Sequence, residues 1–152
     1  MIEEITIFQV VTLSIAIIGA ILGIINTWYN LDKNRVKLKV LPSHAFSIGN
    51  VNQDFNFCIS VTNLSSFAIT IHEIGILYHD TDSRGAITYP IFLDSGKWPR
   101  KLEPRTSFSA YSLLDKSNTS YKIKCAYAKT ECGLMIKGTS AALNEIANKQ
   151  SI

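Results

Sequence analysis

Between Ile5 and Leu31 the chain runs for 27 residues without one charged side chain. Crossing a bilayer takes roughly 20 consecutive apolar residues, and a soluble core helix rarely runs so far uncharged. The stretch is therefore read as a transmembrane helix over residues 5–29. Residues 1–4 precede it, 30–35 form a juxtamembrane linker, and 36–152 form a separate domain. A cleaved signal peptide fits less well. The residues ahead of the run are acidic (Glu3 and Glu4), the run is too long, and no small-x-small site ends it. Trp28 and Tyr29 stand where amphipathic rings settle among headgroups. Lys33, Arg35, Lys37 and Lys39 follow the helix, so the positive-inside rule puts the N-terminus outside and the domain in the cytoplasm.

One face of this helix differs from the rest. Gln9, Thr12, Ala16, Gly19, Gly23, Asn26 and Asn30 recur at spacings of 3 and 4, a heptad seam made only of small or polar residues. Thr6, Ala20 and Thr27 widen it, with Leu13 as the exception. The other faces carry Val, Ile and Leu, interrupted only by Ser14. Bulky residues face lipid without penalty, whereas small ones let helices approach closely. Carboxamides in hydrocarbon are costly unless they meet a partner or water. The stripe predicts self-association, with Gln9, Thr12, Ala16, Gly19, Gly23 and Asn26 at a helix seam or along a pore.

Past Arg35 the periodicity changes from helical to alternating. Strands are expected over 36–40, 55–62, 69–78, 86–92, 106–114, 121–128 and 134–137. Phe55, Phe57, Ile59 and Val61 should face the core, Gly75 could mark a bulge, and Pro90 confines its strand to an edge. Residues 129–133 read as a hairpin turn, and Ser140 as the cap of a short helix over 141–149. Strands this short and numerous predict an antiparallel, immunoglobulin-like sandwich with a short C-terminal helix; a small β-barrel is the alternative. Cys58 and Cys125 have a spacing like that of an immunoglobulin disulfide. Cys58, however, has the opposite parity from Phe57, so the two should not meet in the core.

The odd count of three cysteines lacks a framework spacing, and His44, His72 and His79 are scattered. Asp80-x-Asp82-x-x-Gly85 begins like a calcium loop, but Arg84 and Ile91 occupy ligand positions, so it reads as a polar turn. No nucleophile motif, P-loop or HExxH is present, so neither enzyme activity, metal nor cofactor is expected. The net charge of +3 is too small for a dedicated nucleic-acid stripe. The triplets Asn63-Leu64-Ser65 and Asn118-Thr119-Ser120 resemble glycosylation acceptors but carry no weight in a cytosolic domain.

Binding has one clear candidate. Lys97, Trp98, Arg100, Lys101 and Arg105 gather four cations around a stackable ring in an expected loop. That combination suits a phosphate-bearing ligand such as a nucleotide or short oligonucleotide, or anionic headgroups. The bland alternative is a solvated loop with Trp98 folded onto the sandwich. Lys37, Lys39, Lys122 and Lys124 would make a second basic face if their strands were neighbours.

A helix carrying Gly19 and Gly23 followed by a cytosolic β domain resembles, in layout, the single-span membrane effectors of bacterial anti-phage systems, including nucleotide-gated pore formers of the Hailong type. The resemblance implies a homo-oligomeric pore in the bacterial inner membrane. It also implies a partner enzyme that makes an oligonucleotide ligand, and depolarisation on opening. Gln9, Thr12 and Asn26 would then face the pore. The competing expectation is a non-catalytic, membrane-anchored scaffold whose sandwich binds a protein partner.

Overall fold

In a computed structural model, the described residues are 6–46, 55–79, 83–94, 96–114 and 122–149. The chain divides into two units at Arg35/Val36. The first is one helix, α1 (Ile7–Lys33), long and apolar enough to cross a membrane, with no buried residue. Its 27 residues span about 40 Å at 1.5 Å per residue. Thr6 is the N-cap, and its backbone N–H donates to the Gln9 side chain at 3.0 Å. The helix runs four residues past the expected end at Tyr29. Nothing in Asn30–Lys33 breaks it, and Lys33 in the last turn complements the negative end of the helix dipole.

The second unit contains β1 (Leu38–His44), β2 (Phe57–Asn63), β3 (Ile69–Tyr78), β4 (Arg84–Ala86), β5 (Arg100–Leu102), β6 (Ser107–Ser112), β7 (Ile123–Thr130), β8 (Met135–Gly138) and α2 (Ala141–Lys149). All pairings are antiparallel. One sheet has the order β1-β2-β6, and the other β4-β3-β7-β8 with β5 also on β3. The chain therefore crosses between the sheets three times, at β2–β3, β5–β6 and β6–β7, and builds a two-sheet, immunoglobulin-like sandwich.

Period-two patterning fills the space between the sheets. Phe57, Ile59 and Val61 of β2 meet Phe108 and Ala110 of β6 and the isoleucines of β3. A register shift between Ile71 and Glu73 lets both Ile71 and Ile74 point inward. That shift falls at His72, not at the expected Gly75. Gly75 serves a different need: a Cβ there would run into the Gly85 carbonyl of the adjacent strand. At the opposite flank β8 closes on β1, and a Cβ on Gly138 would strike the Val40 carbonyl. The Ser140 hydroxyl accepts the Leu143 N–H at 3.1 Å, capping α2, which adds Leu143, Ile146 and Ala147 to the core.

Several expectations are corrected. The strand over 86–92 is not formed: β4 ends at Ala86, and Ile91 makes a single bridge to Tyr111. The segment with Pro90 leaves one sheet and touches the other. Arg100–Leu102, expected in a loop, is a strand on β3. Phe55 precedes β2, where strand alternation no longer applies, and packs with Ala45, Cys58 and Tyr111 in a satellite cluster. Cys58 and Cys125 are buried and free, and neither belongs to the main core cluster; Cys132 is exposed. Lys39 lies on β1 and Lys124 on β7, in different sheets, so no second basic face forms. Asp80, Asp82 and Asn118-Thr119-Ser120 lie outside the described residues.

The end of the sandwich where the chain enters is tied by one buried side chain. The Asn63 carboxamide donates to the carbonyls of Phe67 (2.8 Å), Leu102 (3.2 Å) and Glu103 (3.3 Å) and accepts from Ser65 N–H (2.9 Å). Ser65 Oγ in turn accepts the Lys37 N–H at 2.7 Å. A buried polar group left unpaired costs about 1–3 kcal/mol, and Asn63→Ala removes a partner from several groups at once. Asn63→Ala is therefore expected to destabilise the β domain by about 3 kcal/mol, read as a lowered urea midpoint. An unchanged midpoint would contradict this role.

Candidate functional site

Two regions were expected to act, one in each unit. On α1, the seam residues Gln9, Thr12, Ala16, Gly19, Gly23, Asn26 and Asn30 are all exposed. A Cβ built on Gly19 or Gly23 meets nothing within 4 Å, so the glycines leave an open backbone surface. The Thr and Ser hydroxyls within the helix are satisfied locally: Thr12, Ser14 and Thr27 donate to the carbonyls of Phe8, Val10 and Gly23, each at 2.8 Å. This back-bonding explains how Ser14 is tolerated on an otherwise aliphatic face. The carboxamides differ. Asn30 Nδ2 donates to Asn26 Oδ1 at a long 3.4 Å, and a carboxamide has two donors and two lone pairs to satisfy. Asn26 and Asn30 thus bring hydrogen-bonding capacity that one such bond does not exhaust.

In the β domain, Lys97, Trp98, Arg100, Lys101 and Arg105 are not aimed at one point. Trp98 is folded onto the sandwich, with its ring 5.7 Å from Phe92 and 6.3 Å from Phe108. The Arg100 guanidinium lies 5.4 Å from the centroids of both Phe92 and Phe108. It forms a two-pronged pair with Asp94, Nη1 at 2.7 Å from Oδ1 and Nη2 bonded to Oδ2. Asp94 also accepts the Gly96 N–H at 3.2 Å, and a Cβ on Gly96 would collide with that guanidinium. On a strand, neighbours point to opposite faces. Arg100 accordingly turns with Leu102 toward the interior, while Lys101 turns outward and pairs with Glu103 at 3.0 Å. Lys97 and Arg105 are exposed, and Arg105 sits in the left-handed region (φ 63°) with its N–H on the Asn63 carbonyl at 3.0 Å.

Two further features escaped the sequence reading because distant segments build them. A cleft of about 300 Å³ opens beside β4, lined by Ile76, Tyr78, Tyr89 and Leu113 among others. On the outer face of β3, Tyr127 donates its hydroxyl to Glu73 at 2.6 Å, and Arg84 Nε stands 3.4 Å from the same carboxylate. Burial, then Glu73, pushes the Tyr127 phenol above its ordinary range. Among the described residues no group of three or more His, Cys, Asp or Glu could hold a metal.

The Asp94–Arg100 pair has a pH signature. The Arg100 hydrogen bond lowers the Asp94 carboxyl from 3.8 to about 2. A depressed carboxyl contributes above its ordinary range and is lost as pH falls through about 2. The Asp94 carboxyl carbon resonance is therefore expected to titrate near 2, and to return toward 3.8 in Arg100→Gln. Equal midpoints in both proteins would contradict the pairing.

No protein-family model matches this chain and no curated protein matches it in sequence, so its functional reading rests on the geometry above.

Proposed function

We propose that the chain is a self-associating, single-pass membrane effector that forms a pore in the bacterial inner membrane. In this reading α1 spans the bilayer and the β domain lies in the cytoplasm, on the side of Lys33, Arg35, Lys37 and Lys39. The observation that carries the proposal is the exposed face of α1, where open glycine backbone is flanked by carboxamides. Gly19 and Gly23 allow close helix contact. Gln9, Thr12, Ala16 and Asn26 line the seam, and in an assembly of several helices the carboxamides meet water rather than lipid. The β domain is the sensor. Lys97, Lys101 and Arg105 offer exposed charge to an anionic nucleotide or oligonucleotide made by a partner enzyme. Arg100 would join only by exchanging Asp94 for a ligand phosphate, with Trp98 beside it.

A second reading is favoured by a specific observation. Arg100 and Lys101 each already have an acidic partner and face opposite sides of β5. That arrangement suits a β domain that binds a protein, with the helix as anchor and at most a dimer seam. Neither reading calls for catalysis.

The two readings differ in oligomer size. With a bifunctional amine reagent, which can join several lysines of each protomer, crosslinking in native membranes is expected to give a ladder above dimer that Gly19→Leu/Gly23→Leu abolishes. A ladder ending at dimer would favour the scaffold, and monomer alone would contradict self-association through this face.

A further inference from the structure

The end of the β domain where the chain enters is built from the residues before β1 and from three turns. The strand registers bring them together. Leu38 stands opposite Asn63, which places the β2–β3 turn beside the start of the domain. Ile69 stands opposite Leu102, and Thr62 opposite Ser107, which brings in the β5–β6 turn. Ile71 stands opposite Thr130, and Glu131 N–H donates to the Thr70 carbonyl at 3.0 Å, which adds the β7–β8 turn.

Turns at a protein surface are normally polar, yet each of two turns here presents a large apolar side chain. Leu64 (39%) and Phe67 (36%) are exposed on the first turn and Leu134 (41%) on the last. Lys101 and Arg105 are exposed around them, and Lys37 lies at the same end; the acids there are Glu103, paired with Lys101, and Glu131. Asn63 and Ser65 hold the first two turns and Lys37, and the Thr130 hydroxyl holds the last by accepting the Leu134 N–H at 3.0 Å, so the apolar tips are fixed relative to the cations. The connection to the helix is short. From Lys33, the last residue of α1, to Leu38, the first of β1, there are five steps, at most about 17 Å of extended chain.

We propose that this end of the domain is a docking face for an anionic bilayer surface. Leu64, Phe67 and Leu134 enter the headgroup layer, and Lys37, Lys101 and Arg105 meet lipid phosphates. The proposal rests on α1 spanning the membrane, because the tether then holds this end within reach of the headgroups. Apolar tips beside a small basic surplus match that interface, where burial of apolar area and attraction to anionic lipid act together. Because Lys101 and Arg105 also belong to the proposed ligand face, ligand and bilayer would compete for them, and ligand binding would release the domain from the membrane.

The test uses the full chain in vesicles, with a nitroxide on the native Cys132, the exposed thiol of the β7–β8 turn; Cys58 and Cys125 are buried. A second sample carries Ile18→Cys with Cys132→Ser and reports the helix itself. In phosphatidylglycerol-containing vesicles, the Cys132 label is expected to lose several-fold in collisions with a water-soluble nickel complex, relative to pure phosphatidylcholine. Leu134→Asp and, separately, Phe67→Asp should restore those collisions while the Ile18→Cys label stays shielded. A Cys132 label equally exposed in both lipids, with the Ile18→Cys label shielded, would overturn docking and leave the membrane span intact. A water-exposed Ile18→Cys label would overturn the span, and docking with it. Protection that is independent of lipid charge but accompanied by spin–spin broadening would assign the face to a second copy of this chain and overturn lipid docking.

Discussion

Asn63 is fully buried, and its carboxamide bonds three carbonyls and one backbone N–H. Those groups belong to two separate turns, and through Ser65 the network reaches the residue before β1. Without that amide the carbonyls of Phe67, Leu102 and Glu103 would face each other with no donor between them. The strands on either side depend on it: β2 ends at Asn63, β3 starts after the turn it closes, and β5 ends at one of its acceptors.

The helix and the β domain solve their polar problems differently. In α1, the Thr12, Ser14 and Thr27 hydroxyls bond back to the preceding turn and so need no outside partner. Carboxamides carry more donors and acceptors than one intrahelical bond can satisfy. In hydrocarbon the surplus must be met by another helix or by water, which is why the proposed assembly turns on Gln9, Asn26 and Asn30. In the β domain the exposed basic segment is partly neutralised from within. Asp94 holds Arg100 over two phenyl rings, and Glu103 holds Lys101.

Much of the fold was legible because its signals are local. Twenty-seven uncharged residues announce α1, the alternation from Phe57 to Val61 announces β2, and Ser140 announces α2. What was not legible depends on partners distant in sequence. Arg100–Leu102 is too short to show a period and becomes a strand only because β3 offers an edge. Residues 86–92 alternate plausibly, but the segment leaves its sheet after Ala86 and bridges to Tyr111. Composition placed five residues in one candidate site; a Trp98 folded onto the sandwich was foreseen, but not that Arg100 turns inward with it while Lys97, Lys101 and Arg105 stay outside. The aromatic shelf of Phe92 and Phe108 that draws them in comes from two other segments.

The proposed pore depends on close approach of helices at Gly19 and Gly23. The most direct measurement is membrane potential in bacteria induced to express this chain, beside Gly19→Leu/Gly23→Leu at equal expression. The account predicts depolarisation and growth arrest with the native sequence and neither with the double substitution. A depolarisation that survives both leucines would contradict it, and a potential unchanged by the native chain would favour the scaffold or a pore held shut until its ligand arrives.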